Sequence, residues 1–450
     1  MRADDSLQDD RRAAVPDPAT QRARRGRRRV ASAAIGAAAV VALSATGAGA
    51  TTGGHASGAV DIQLWESHNG GPVGGAMTTL VNKFNATQKN AKVTIVVTKA
   101  SSKLEAALAA GDAPVLAEIS HYDGVFVKAG ALVSWNPFMR NSTVVTKKNL
   151  LPTVWANGVV KGQHYRLQAD LKVSEVFYNK DLFKKAGITA APTTWSELAT
   201  DAAKLKHLGV IPLGWKDSSA HILPAIMSNG GTLLRGSNTV GNSVAFDTPA
   251  ARATFNFFRR LYGANELQFH HGTTLREDLA AGKMAMIDGT SAGYAKVLAA
   301  VSGKFPVGAF VEPAGSTGHA ANLAQGLGFV LPKGHTHAQD EAAWSFVQWW
   351  FEPAQQALWA KLTGFDPETH SGIAAIPAGY LKTHPGLAAS ISAAVSPYTV
   401  PRPVSDSYNE VQASIDAEFF NAVTGKQSVS SALRALQQQG NSYMKGASEL

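Results

Sequence analysis

The chain has 450 residues, 45% of them apolar and 17% charged, enough for about two to four domains around a large core. Its formal charge of +9 is uneven: residues 1–30 hold nine Arg against five Asp, and the rest carries only about +5 with no Lys/Arg cluster on an expected helix, which argues against nucleic-acid binding. Cysteine is absent, which excludes disulfides, thiolate metal sites, cysteine nucleophiles and a lipid anchor on an N-terminal cysteine.

In chain order, the first element is an address. "RARRGRRR" (22–29) precedes an Ala-rich apolar run (30–50) that closes on Ala48-Gly49-Ala50. Basic, apolar and small-x-small regions in that order describe a secretory signal peptide over 1–50, cleaved after Ala50. An uncleaved N-terminal anchor is the alternative, and Arg27-Arg28-Arg29-Val30 also fits a loose twin-arginine export pattern. Either way the remaining chain works outside the cytoplasm. Residues 51–58 ("TTGGHASG") read as a flexible linker.

"AVDIQLWES" (59–67) alternates as a strand does, and "AMTTLVNKFNAT" has apolar residues at helical spacing. Strand "AKVTIVVT", helix "SSKLEAALAAG" and strand "APVLAEIS" follow, which indicates βαβ units and a mostly parallel sheet. The pattern restarts at "SEVFYNKDLFKKAG". In "PTTWSELATDAAKLKHLG", Thr194 and Glu197 make a capping box and Gly209 ends the helix. "VIPLGW" is a strand. "DTPAARATFNFFRRLYG" has Thr248 as N-cap, Pro249 in the first turn and Gly263 as its stop. Then come helix and strand in "TTLREDLAAGKMAMIDGTSAG", strand "GLGFVLP", helices interrupted at Pro353, and two helices in the tail. The spacing predicts two α/β halves with a ligand cleft between them.

"YNKDLFKKAG", "PTTWSEL" and "AAKLK" together resemble the extracellular solute-binding proteins of ABC sugar importers, in the glycerol-3-phosphate and oligosaccharide subgroup. "LWESHNG", "LAAGDAPVLAEI", "GKMAMIDGTSAGY", "GFVLPKGH" and "AAWSFVQWWFEPAQQALWAKLTGF" fall in the matching order over about residues 60–450. The resemblance implies a two-lobe periplasmic-binding-protein-like α/β fold with strand crossovers and an interlobe cleft. It places lobe 1 at 59–168 with 290–324 returning to it, and lobe 2 at 169–289 and 325–450. "RLQADLKVSEVFYNKD" becomes the first crossover. The implied role is capture of a sugar or polyol by hinge closure and delivery to membrane permease subunits, which couple indirectly to an ATPase. A monomer without cofactor or metal is expected.

Sugar hydroxyls and C–H faces call for aromatic platforms beside planar donors and acceptors. Candidates stand where strands end or turns begin: Trp65, Glu66, His68 and Asn69 after the first strand; His121 and Asp123 after the third; Trp215 and Asp217 in lobe 2; and Ser291 and Tyr294 opening a helix. In the framework of the resemblance, Asp170 lies in the first crossover with Lys172 beside it. Gly326 lies at a later crossover, and Phe365 stands where relatives carry Tyr. Gln412 occupies the position of a phosphate-holding arginine, and His121 that of an acidic contact. Both departures favour a neutral saccharide or polyol.

A second reading is enzymatic. Gly289-Thr290-Ser291-Ala292-Gly293 matches G-x-S-x-G between a strand and a helix, with "HNGG" (68–71) as an oxyanion turn and Asp366 and His384 in α/β-hydrolase esterase order. The distance of more than 200 residues between the oxyanion turn and the serine argues against it. His270-His271 and His335-x-His337 lack a third metal ligand at suitable spacing.

Overall fold

Period-two strands alternate with capped helices, and two sheets result. The computed structural model describes residues 58–445 apart from 69–70, 121–122, 217, 238–240, 271, 404 and 406. The leader and all but the last residue of the linker lie outside the described residues.

The first stretch carries β1 (Val60–Glu66), β2 (Ala91–Val97), β3 (Leu116–Ile119), β4 (Leu132–Val133), the hairpin β5 (Val159–Val160) and β6 (Gln163–His164), and β7 (Arg166–Gln168). The second carries β8 (Ser174–Asn179), β9 (Ile211–Trp215), β10 (Leu267–Phe269), β11 (Met284–Thr290) and β12 (Val307–Val311). Beyond them lie β13 (Asn322–Ala324), β14 (Gly328–Pro332) and β15 (Thr399–Pro401). One sheet runs β2-β1-β3-β14-β4 with β7 also on β14; the other runs β10-β9-β11-β8-β12. β13 and β15 form a small parallel pair.

Each sheet has its own core. Leu64, Phe84, Trp135, Phe329, Phe346 and Trp350 gather on the first, and Trp195, Trp215, Phe255, Phe258 and Phe419 on the second. Such rings bury large areas and prefer tilted or edge contacts, as Trp215 and Phe258 do at 4.9 Å. The tail helices, Tyr408–Val423 and Val429–Met444, complete the second core.

Local signals set many boundaries. The Thr194–Glu197 capping box is formed, and Thr248 accepts from the Ala251 N–H ahead of a helix with Pro249 in its first turn. Pro353 opens a separate helix, Pro353–Thr363. Gly263 is still helical, however. The left-handed residue beyond that helix is Asn265 (φ 55°), since Asn tolerates this conformation through its short polar side chain.

Two expectations are corrected. The sheets are mixed rather than mostly parallel, because β14 enters the first and β8 the second antiparallel to their neighbours. The segment expected to return to lobe 1, 290–324, instead supplies β12, whose Val307–Val311 pair with Asn179–Glu175 of the second sheet. The return is made by β14, whose Gly328 faces Ile119 and Gln168, and by the helices His337–Trp350 and Pro353–Thr363, which pack on the first core.

Between the sheets the chain passes repeatedly at close quarters. Lys172 and Gln325 exchange backbone hydrogen bonds of 3.0 Å, and the Asp366 N–H donates to the Leu171 carbonyl at 2.7 Å. Gly326 permits this approach. Its φ is +137°, and a Cβ there would fall 1.7 Å from the Asp170 carbonyl oxygen. Gly326→Ala therefore forces these strands apart and is expected to cost about 3 kcal/mol. Gly162→Ala, at φ +75° with open space around its Cβ position, should cost about 1 kcal/mol. Urea midpoints of the two variants check the difference.

Candidate functional site

Strand parity explains the buried acids. Ile62, Leu64 and Glu66 share the inward face of β1, so that face ends on a carboxylate at the C-terminal end of a parallel strand. Glu118 sits likewise in the wholly buried β3. His68, just past β1, brings Nε2 to 3.3 Å from Glu118 Oε1 and 3.2 Å from Asp170 Oδ2. Its backbone N–H donates to Glu66 Oε1 at 2.8 Å. Asp170 also accepts from the Leu327 N–H through its other oxygen.

Burial alone would depress the His68 imidazolium, but Glu118 and Asp170 outweigh it and hold the ring protonated up to about pH 11. Burial, then repulsion from Glu118, pushes Glu66 above the usual carboxylate range. The triad is thus a charged tie between β1, β3 and the crossover.

Beside it opens a cleft of about 290 Å³, lined from both sides. The first lobe supplies His68 and Gly71–Val73. The crossover supplies Lys172, and the later connection Phe365. The second lobe supplies Phe177, Lys216, Arg276, Ile287 and Asp288, with Gly289, Thr290, Ala292 and Gly293 from the end of β11 and the turn after it and Lys296 and Val297 from the helix that follows. Phe365 stacks on Trp359 at 5.7 Å, meets the edge of His68 at 5.9 Å and lies under the Lys172 ammonium at 5.5 Å.

Of the expected contacts, the fold brings Glu66, His68, Asp170 and Phe365 together. Asn69, His121 and Asp217 lie outside the described residues, as does the side chain of Asp123. Trp215 is fully buried among Trp195 and Phe258, so its ring is core rather than a platform. Trp65 packs against the cluster of Leu104 and Ile119, its indole N–H donating to Gln63. Gln412 donates to Ser219 Oγ at 3.3 Å, bracing two helices. Tyr294 packs against Phe177 at 5.9 Å, and Gly326 acts through its backbone at the crossover.

Lys216, Arg276 and Lys296 were not among the expected contacts. Each is one exposed-type residue on a separate element, and only the fold collects them. Glu118 had a signal: an ionisable group inside the otherwise apolar strand "LAEI".

The esterase geometry is not assembled. Ser291 is 2% exposed and donates directly to Asp366 Oδ2 at 2.9 Å. The His384 ring turns to its own helix, with Nδ1 2.9 Å from the Tyr380 carbonyl. The glycine at 289 serves packing, since a Cβ there would meet Phe177 at 2.4 Å. Burial raises Asp366 to about 7 against the opposing hydrogen bonds from Ser390 and Ser291.

Two groups place three metal-ligand-type atoms within 4.8 Å of one another: Glu66, His68 and Glu118, and His221, Asp288 and Glu312. In the first, the protonated imidazole is a donor and offers no lone pair. In the second, His221 Nδ1 lies 2.7 Å from Asp288 Oδ1, while burial pushes Glu312 well above the ordinary carboxylate range. His335 is held by the Pro114 carbonyl and His337 faces Glu341, so that pair does not converge.

With this geometry in place, four similarities bear on it. Residues 79–388 match the family described as bacterial extracellular solute-binding protein. The sn-glycerol-3-phosphate-binding periplasmic protein UgpB of Pectobacterium atrosepticum is 23% identical over 438 residues, covering 91% of this chain and 95% of the relative. The fold matches the cyclic alpha-maltosyl-1,6-maltose binding protein of Arthrobacter globiformis with a TM-score of 0.75 at 22% identity, over 86% of this chain and 100% of that one. It also matches UgpB of Mycobacterium tuberculosis in complex with glycerophosphocholine, with a TM-score of 0.75 at 20% identity, over 86% and 99%. These structural likenesses establish the two-lobe fold.

His68→Gln leaves Glu118 and Asp170 buried without their cation, a loss on the order of 3 kcal/mol at neutral pH. Because the folded pKa of His68 is raised, its contribution is complete below the ordinary value of 6.5 and fades as pH rises toward about 11. Stability measured from pH 7 to 11 should fall more steeply in the parent protein than in His68→Gln.

Proposed function

The chain belongs to the bacterial extracellular solute-binding proteins, and from that premise we propose that it is the extracytoplasmic substrate-binding component of an ABC importer. It captures a sugar or polyol between its lobes and delivers it to membrane permease subunits that an ATPase drives. The supporting observation is the cleft itself, which draws its lining from both lobes and from the crossover between them.

A solute in such a cleft reaches both walls only when the lobes are closed. Differential affinity then shifts an open–closed equilibrium toward the closed form. The crossing strands are the natural hinge, since a few residues there absorb the rotation. The aromatic stack of Phe365 on Trp359 offers an apolar face, and His68 offers a polar one. A volume near 290 Å³ sits at the lower end of ligand pockets, which run from about 300 Å³ upward, and suits a single-sugar-sized solute.

The protein acts as a monomer outside the cytoplasm, exported by the leader read at 1–50, and not as an enzyme. No described helix is long and apolar enough to cross a membrane. With no cysteine in the chain, retention at the envelope does not use a lipidated cysteine.

A thermal-shift screen of mono-, di- and trisaccharides, polyols and glycerol phosphates tests the reading. A cleft ligand at 100 times its Kd adds about 2.7 kcal/mol and should raise the melting temperature by a few degrees. Small-angle scattering should show compaction with the same compound. Absence of both effects for every solute offered would remove this function.

A further inference from the structure

The charge of the cleft narrows the solute, on the premise that the protein is a solute receptor. Four cationic side chains line the cavity: Lys172 from the crossover, Lys216 just past β9, Arg276 from the helix Gly272–Ala280 and Lys296 from the helix Tyr294–Val301. None of the four forms an ion pair among the described residues. Among the described residues the one carboxylate in the lining, Asp288, is engaged by His221 at 2.7 Å and by the Lys216 backbone N–H at 3.3 Å.

Three further described acids do not pair with them. Asp170 is shared between His68 and the Leu327 N–H. Glu175 and Glu312 are buried and absent from the lining, and burial pushes both well above the usual carboxylate range. Burial, with repulsion from Arg402, Lys216 and Lys296 against the opposing pull of Asp170, lowers the Lys172 ammonium below its ordinary value. His68, protonated, adds a further positive group at the first-lobe edge.

Like charges gathered in a confined cleft repel one another. The arrangement is relieved when a ligand brings the opposite charge, and field lines focused in such a cleft also steer anions toward it. A neutral sugar would leave this repulsion in place. Position 412 is not part of this set, since Gln412 is tied to Ser219.

We propose that the transported solute carries an anionic group, a phosphate ester or a carboxylate on a sugar-sized or smaller polyol skeleton, seated among Lys172, Lys216, Arg276 and Lys296. The apolar side of the cleft, Phe365 and Phe177, takes the carbon skeleton. This replaces the neutral solute favoured by residues 121 and 412 alone.

The site can be probed without knowing the skeleton. Inorganic phosphate at 10–20 mM, about the range expected for a bare fragment, should raise the melting temperature of the purified protein above chloride at equal ionic strength. The increment should vanish in Lys216→Gln/Lys296→Gln, whose unliganded melting curve checks that it folds. No increment over chloride overturns the proposal. Calorimetry with glycerol, glucose and inositol beside their phosphate esters and acids then separates the sources. The anionic member of a pair should bind at least about tenfold tighter, that preference should fall about tenfold in Lys296→Gln, and 0.5 M salt should reduce it. Equal or tighter binding of the neutral member overturns the anionic site and leaves the receptor reading standing. Binding of no solute of either kind ends the receptor reading as well.

Discussion

Side-by-side passage of the chain between the two sheets is the constraint on which the rest of this structure depends. Segments near 171, 325 and 366 must lie within backbone hydrogen-bonding distance of one another. That is possible only because residue 326 has no Cβ to collide with the Asp170 carbonyl. The same contact places Asp170 beside His68, Lys172 over Phe365, and Ser291 against Asp366. Cleft and crossover are therefore one construction: the connections between the sheets also supply Lys172 and Phe365 to the cleft lining.

Charge is concentrated where it is costly to bury. Glu66, Glu118, Asp170, Glu175, Asp288, Glu312, Asp366 and Glu368 are all nearly inaccessible, and most stand at strand ends or along the connections. Removing a charge from water costs several kcal/mol even after relaxation. The fold meets that cost in three ways. His68 supplies a counter-charge to Glu118 and Asp170. Ser291 and Ser390 hydrogen-bond Asp366. Burial pushes Glu175, Glu312 and Glu368 well above the ordinary carboxylate range, which favours their neutral forms. Away from this belt the two cores are built from apolar and aromatic groups. Of this belt only Asp288 reaches the cleft lining; the other acids stand behind it, where they fix the strand ends and connections against one another.

Much of the architecture was legible. The helix ends at Thr194 and Thr248, the break at Pro353 and the inward parity of β1 follow from local chemistry: a hydroxyl that caps, a ring that cannot donate, a period of two. The placement of Glu66 and His68 at the first strand end was also legible, because a polar group at the end of an apolar strand has few other places to point; Asp170 and Phe365 were reached only through the family resemblance. Trp215 was not. The same indole after the same strand suits either a platform or a core, and its neighbours from the helices Trp195–Lys206 and Pro249–Gly263 decide which.

Residues close in the chain thus determined the element types, the two-half plan and the position of the polar strand ends, since these rest on interactions within a few residues. The assignment of β12 and β14 to their sheets was decided only by tertiary structure. Both read as short apolar strands, and an apolar strand carries no mark of which partner will satisfy its backbone. The same holds for the basic cleft, because Lys172, Lys216, Arg276 and Lys296 repel one another and come together only when the folding of four separate elements, driven by burial elsewhere, leaves them facing one space.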